Sequence, residues 1–121
     1  MENKSPINRR QAGYSWLSQA ISGILLVVLL GTHWIAQHYL AAGGLRTYSE
    51  VISYLENPLV LVLEVAFLAA VTYHALLGLR AVLLDFGPSE RLVRLLDAGL
   101  ILAGIATLFY GMYLLRLILA K

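Results

Sequence analysis

The chain has 121 residues, of which 60% are apolar and 13% charged, whereas a soluble domain is about half apolar and about a quarter charged. The mean hydropathy of +0.75 excludes a soluble enzyme domain, and 9 basic residues are too few for a nucleic-acid-binding surface. Cysteine is absent, which excludes disulfides, thiol catalysis and iron–sulfur ligation by this chain. We expect one membrane domain that comprises residues 1–121.

The first apolar stretch contains no Lys, Arg, Asp or Glu between Arg10 and Arg46. Crossing the hydrocarbon takes about 20 apolar residues, so this stretch predicts a transmembrane helix over residues 15–40. It is longer than the apolar region of a secretory signal and contains polar side chains. We therefore interpret it as a retained helix.

Residues 41–57 predict an aqueous loop with a short amphipathic turn over 48–55. Asn57 and Pro58 are typical of an N-cap followed by the first helical position, and they predict a second span over 58–84. Glycine and proline in residues 85–88 end that helix, and a third span follows over 94–119. The predicted fold is all-α, an integral membrane bundle of three transmembrane helices.

The distribution of basic residues predicts the orientation. The first ten residues contain three basic side chains and the turn before the third span contains Arg91 and Arg94, whereas the 41–57 loop has only Arg46. The positive-inside rule then places the N-terminus in the cytoplasm and predicts a multi-pass protein of the cytoplasmic membrane. Gly99, Gly104 and Gly111 form a small-residue stripe on the third helix, and we expect a partner within the membrane.

Ionisable side chains within membrane spans are functional candidates, and four lie in the predicted spans: His33, Glu64, His74 and Arg80. His33 lies in the outer half, and His74 lies about 10 Å deeper towards the cytoplasm. Two axial ligands of one haem lie at the same depth, so these histidines do not share an iron. If both are ligands, two haems are present and each needs a second histidine from a partner.

Two neighbours of His74 allow alternative interpretations. Gly78 lies four residues after His74 on the same helix face, and its missing side chain leaves room for a flat macrocycle or for close helix packing. Arg80 either pairs with a haem propionate or extends to the inner headgroups.

Two motifs resemble those of the cytochrome b membrane anchors of succinate dehydrogenase and fumarate reductase, respiratory complex II. The first is WLSQAISG at 16–23, followed by LGTH ending at His33. In the family, a similar Gln–Ser/Thr–Gly pattern opens the first helix, and two-haem members place a histidine ten residues beyond the glycine. Gly23 and His33 have this spacing. The second is YHALLGLRAVLLDFG at 73–87, which is similar to the family's His, Gly, Arg and Asp motif of the second helix.

The resemblance implies a haem b-binding anchor that passes electrons between an iron–sulfur subunit and membrane quinone, without dehydrogenase chemistry of its own. His74 then ligates a proximal haem and His33 a distal one, with Gly23, Gly78 and Arg80 as packing or propionate contacts. The implied partners are a second membrane anchor, an iron–sulfur subunit and a flavoprotein. Ala20 stands where many one-haem anchors have arginine, a departure that favours the two-haem type.

A quinone pocket is expected near the inner end of the first helix, at Trp16, Gln19 and Ser22. The alternative role of Gln19 and Ser22 is hydrogen bonding between helices. We expect menaquinone as the quinone. Glu64 is expected to carry a proton or to contact a distal quinone. Two other functions stay open: a subunit of a different quinone-linked b-type cytochrome, and a structural membrane anchor without haem.

Overall fold

The computed structural model describes residues 6–41 and 43–120, with side chains from residue 13 onwards. Four helices follow in chain order: α1 (Pro6–His38), α2 (Tyr48–Leu55), α3 (Pro58–Asp85) and α4 (Glu90–Leu119). No strand occurs in these described ranges. The segments Gly13–His38, Pro58–Asp85 and Glu90–Leu119 are long and apolar enough to cross a membrane. The predicted all-α fold with three candidate membrane-spanning helices is confirmed.

The ends of α3 follow the predicted local chemistry. The side chain of Asn57 accepts a hydrogen bond from the backbone N–H of Leu59 at 3.0 Å, and Pro58 occupies the first helical position. After Asp85 the chain turns at Gly87, whose φ of +64° is strained for any residue with a side chain.

Two helices extend beyond the predicted membrane spans. The first begins at Pro6 rather than near residue 15, and α4 begins at Glu90 rather than near residue 94. Ser89 caps α4, because its hydroxyl accepts from the backbone N–H of Leu92 at 3.4 Å. Composition marks where the apolar surface begins, but a charged residue does not end a helix that continues outside the membrane.

The short helix α2 follows a loop in which Gly43 and Gly44 both have positive φ. The backbone N–H of Thr47 donates to the Glu50 carboxylate at 2.6 Å, which fixes the start of the helix. This helix occupies residues 48–55, where the sequence predicts an amphipathic turn.

The three long helices form an open layer with α3 in the middle. α3 packs against both α1 and α4, while α1 and α4 do not approach each other anywhere in the described chain, and α2 lies across α3 and α4. Gly104 and Gly111 face Leu76 and Leu68 of α3, as expected for close packing, whereas Gly99 faces open space. The buried core is consequently small, so most apolar side chains lie on the surface of this single chain.

Candidate functional site

The contact face between α1 and α3 contains most of the predicted site residues, and we call it the α1–α3 seam. It carries two polar groups of side chains. The inner group, near the α3–α4 turn, consists of Gln19, Ser22 and Gly23 on α1 and His74 and Gly78 on α3. The outer group, near α2, is built around His33 and Glu64. On each helix these residues recur at intervals that are compatible with one helical face.

The imidazole of His74 is held by the opposite helix. Its Nδ1 lies 3.0 Å from the hydroxyl of Ser22, which is buried. The hydroxyl of Ser22 donates its proton to the carbonyl of Gln19 at 3.0 Å. In the tautomer that carries its proton on Nδ1, His74 donates to the Ser22 oxygen and keeps a lone pair on Nε2. Within the described ranges, Nε2 of His74 has no hydrogen-bond partner.

Two glycines bring α1 and α3 together around this imidazole. A Cβ at position 23 would lie 3.2 Å from Cε1 of His74, so the bare Cα of Gly23 gives the ring its place. A Cβ at position 78 would lie 3.2 Å from Nε2 of Gln19. The space at Gly78 is thus taken by Gln19, which corresponds to the packing interpretation of this glycine.

Only one of the two polar atoms of the Gln19 side chain has a hydrogen-bond partner. Its amide nitrogen donates to the backbone carbonyl of His74 at 3.5 Å. Its Oε1 is buried and has no partner among the residues that the structure describes. A buried acceptor without a donor is unfavourable, and this oxygen can accept from a hydroxyl or an amide if the seam opens to admit one.

His33 is held by a carboxylate rather than by a hydroxyl. Its Nδ1 lies 2.7 Å from Oε2 and 2.9 Å from Oε1 of Glu64. When the Glu64 carboxyl is ionised it only accepts hydrogen bonds, so the ring then donates from Nδ1 and Nε2 keeps the lone pair. The ring of Phe67 stacks on the imidazole with centroids 5.0 Å apart, which fixes its plane.

Two residues from the loop region complete the outer group, and sequence reasoning did not identify either. The hydroxyl of Tyr54 on α2 donates to Oε1 of Glu64 at 2.9 Å. Arg46 lies over the Tyr54 ring at 4.2 Å and donates to the carbonyl of Ala36 at 3.0 Å. Burial, and then the hydrogen bond to Glu64, raise the pKa of Tyr54 to about 12, so its phenol stays a donor at neutral pH.

A cavity of about 330 Å³ opens beside the outer group. All four helices contribute to its wall, which includes His33, Tyr54 and Glu64. Apart from these three and Gln37, the lining is apolar. A mostly apolar cavity with a few polar groups on one side is typical of a small-molecule site.

The two histidines lie further apart along the helices than the sequence-based depths predict. Ser22 is level with His74, and Glu64 is level with His33. The intervening 11 residues of α1 and 10 residues of α3 both correspond to about 15 Å, rather than about 10 Å. The prediction measured depth from residue 15, whereas α1 extends beyond it to Pro6 and pairs with α3 in a different register.

Arg80 takes part in a contact that neither predicted role included. Its guanidinium forms two hydrogen bonds with the Asp97 carboxylate on α4, Nε to Oδ1 at 2.6 Å and Nη2 to Oδ2 at 3.0 Å. The sequence offered a signal for this pair, because both residues lie within about two helical turns of the α3–α4 turn. The pair joins α3 to α4.

Two other residues lie outside these groups. Trp16, predicted to form a quinone wall, is 72% exposed and makes no hydrogen bond or ring contact with the described residues. His38 is exposed, and its Nδ1 donates to the carbonyl of Gly44 at 3.2 Å, which ties the end of α1 to the loop.

Comparison with known proteins identifies the family. Residues 2–112 match the family described as succinate dehydrogenase/fumarate reductase transmembrane subunit. The succinate dehydrogenase hydrophobic membrane anchor subunit of Archaeoglobus fulgidus is 38% identical over 101 residues, which cover 84% of this chain and 86% of that protein. The protein of the same name from Thermoplasma acidophilum is 31% identical, with coverages of 84% and 82%.

A third relative covers less of the chain. The succinate dehydrogenase 2 membrane subunit SdhC of Mycobacterium tuberculosis is 34% identical over 73 residues, which cover 60% of this chain and 53% of that protein. The matched family, the three candidate spans and the two relatives of similar length agree with one another. The chain belongs to the succinate dehydrogenase/fumarate reductase transmembrane subunit family and is a multi-pass membrane anchor subunit.

Proposed function

We propose that this anchor subunit binds two b haems, through Nε2 of His74 and Nε2 of His33. The observation that supports this proposal is shared by the two side chains: each has Nδ1 within hydrogen-bond distance of an oxygen on the neighbouring helix and leaves Nε2 without a partner in the described chain. Histidines that ligate a metal are typically held in this way, because the bond at one ring nitrogen orients the other.

The chain supplies one histidine at each depth. The two imidazoles are separated by about three helical turns along the seam, so they serve two sites and not one. Each site then takes its second ligand from another subunit. When bound, haem b supplies reversible one-electron chemistry between an iron–sulfur subunit and membrane quinone.

The residues of this chain orient and enclose those groups. Ser22 and Gly23 hold the His74 ring, while Glu64 and Phe67 hold the ring of His33. The Arg80–Asp97 pair fastens α4 to α3 at the inner end. Together they keep each Nε2 at a constant place while the membrane and the partner subunits exclude water.

We propose the predicted orientation for the complex, with the N-terminus in the cytoplasm. The support is the excess of basic residues at the N-terminus and at the α3–α4 turn. The inner group then lies nearer the cytoplasmic face, where an iron–sulfur subunit and a flavoprotein dock, and the second anchor lies within the membrane.

We assign the quinone contact to Gln19. Its unpartnered Oε1 accepts a hydrogen bond, as the hydroxyl of a reduced quinone requires. Ser22 fits this role less well, because its proton already goes to the Gln19 carbonyl and its oxygen holds His74.

Haem extraction from the purified complex tests the main proposal. We expect a reduced-minus-oxidised spectrum of b type, two haems per complex, and loss of one haem in His74→Ala. His38→Ala is the matched control, since that side chain is exposed and bonds the loop. A wild-type complex without b-type absorbance would instead indicate a structural anchor. Spectra of b type without succinate dehydrogenase subunits in the purified complex would indicate another quinone-linked cytochrome.

A comparison of two acceptors tests the quinone contact. Gln19→Ala is expected to slow the reduction of menaquinone and ubiquinone analogues, while succinate oxidation with an artificial soluble acceptor stays normal. Ser22→Ala is expected to reduce haem retention before it affects quinone. An equal loss of activity in both acceptor assays for Gln19→Ala would mean that the residue serves helix packing or assembly.

A further inference from the structure

We infer that Glu64 is a positioning residue for His33, and that its carboxylate strengthens His33 as an iron ligand and favours the ferric state at that site. This inference rests on the proposed function, and it assigns a role to a side chain that does not itself touch the iron. It differs from the roles expected for Glu64 from the sequence, proton carrier or distal quinone contact, which stay predictions.

The Glu64 carboxyl group contacts the imidazole of His33 with both of its oxygens. Both oxygens of Glu64 lie within hydrogen-bond distance of Nδ1 of His33, at 2.7 and 2.9 Å. The Glu64 side chain is only 15% exposed, which leaves little of it for any other ligand. The stacked ring of Phe67 limits rotation of the imidazole, so the Nδ1 proton stays directed at the carboxylate.

The charge of the acceptor distinguishes this site from the inner one. His74 faces a neutral hydroxyl, whereas His33 faces a carboxyl group, which carries a negative charge when it is ionised. A carboxylate at the second nitrogen makes an imidazole a more basic ligand. A more basic ligand stabilises the higher positive charge of ferric iron, so the carboxylate lowers the potential of the iron at His33.

The loop region fixes the carboxylate in turn. Tyr54 donates to Oε1 of Glu64, and Arg46 holds the Tyr54 ring from above while it bonds the end of α1. The phenol therefore withdraws part of the negative charge from Glu64. Removal of the Tyr54 hydroxyl leaves more of that charge for His33. The potential of the iron at His33 should therefore fall in Tyr54→Phe.

Redox titration of the b components in the purified complex tests the inference. We expect Glu64→Gln to retain haem, because the amide oxygen still accepts from Nδ1. The ratio of ferrous to ferric iron in one b component is expected to rise about tenfold at a given potential. This is a rise of about 59 mV in its reduction potential for one electron, while the potential of the other component is unchanged. Tyr54→Phe shifts the same component by a smaller amount in the opposite direction. Glu56→Gln is the control, since it removes the same charge from the exposed end of α2.

The potential shifts of opposite sign in Glu64→Gln and Tyr54→Phe distinguish this role of Glu64 from a structural one. A structural disturbance would move both variants in the same direction or would lower haem content in both. Unchanged potentials in haem-loaded Glu64→Gln would overturn the inference. If that variant lacks the second haem, Tyr54→Phe decides: a lower potential supports the inference and an unchanged one overturns it. Absence of b-type absorbance in the wild type would instead contradict the proposed function, before any substitution is made.

Discussion

Gly23→Ala tests the close approach of α1 to His74, and Gly31→Ala on the same helix is its matched control. A methyl group at position 23 would lie 3.2 Å from Cε1 of His74, whereas one at position 31 would meet nothing within 4 Å. Both substitutions favour the helix by about 1 kcal/mol, because alanine has the higher helix propensity. The difference between the two variants therefore isolates the contact with the imidazole.

The magnitude follows from how far the ring must move. The contact is a few tenths of an ångström too short, and the ring is held by its hydrogen bond to Ser22. Overpacking of this kind costs about 1–3 kcal/mol, so Gly23→Ala is expected to be less stable than Gly31→Ala by about that amount. Displacement of the ring is also expected to weaken haem retention about tenfold, as loss of an orienting partner does at metal sites.

The assay is the thermal unfolding midpoint of the purified complex, together with haem content per complex. Gly31→Ala is expected to match or exceed the wild type in both measurements. Gly23→Ala is expected to have the lower midpoint and to lose the haem assigned to His74. Equal values for the two variants would refute the reasoning, because they would show that the imidazole does not lie against α1.

Three further predictions concern the outer group and the inner ion pair. His33→Ala is expected to lose about half of the haem and His38→Ala little, as measured by extraction; one haem per wild-type complex would contradict this. Asp97→Asn leaves Arg80 without its charged acceptor. Both side chains are 36% exposed in this chain, so we expect a cost of about 0.5–1 kcal/mol. The thermal midpoint should fall, and exchange of the two charged residues should partly restore it. The pKa of Tyr54 is raised to about 12, so the stabilising contribution of the neutral phenol is complete below about pH 10 and is lost as the pH rises through 12. The pKa of Tyr54 is measured as the tyrosinate absorbance of the wild type minus that of Tyr54→Phe over a pH titration. Ionisation of Tyr54 near pH 10 would contradict the structure.

The sequence alone was sufficient for the spans and for the local start of α3. Apolar length determines whether a segment crosses a membrane, and the cap at Asn57 involves atoms only a few residues apart. At 48–55 the sequence predicted a short amphipathic turn, and the structure has the helix α2 there. The beginnings of α1 and α4 were not, because charged residues can continue a helix beyond its apolar part.

The site was only partly predictable. The sequence singled out His33, Glu64, His74 and Arg80, because ionisable groups are rare in apolar spans. It did not pair His33 with Glu64 or Arg80 with Asp97. Those pairs depend on the rotation and register of one helix against another, which local composition does not encode.

The sequence by itself thus determined an all-helical membrane protein and its candidate polar residues, through hydropathy, length and capping. Tertiary structure decided which of these residues meet. It turned His74 towards Ser22 and His33 towards Glu64, and it placed α3 between two helices that do not touch. The physical reason is that a hydrogen bond is made within about 3 Å, and only the packing of α1 on α3 brings atoms far apart in the chain to that distance.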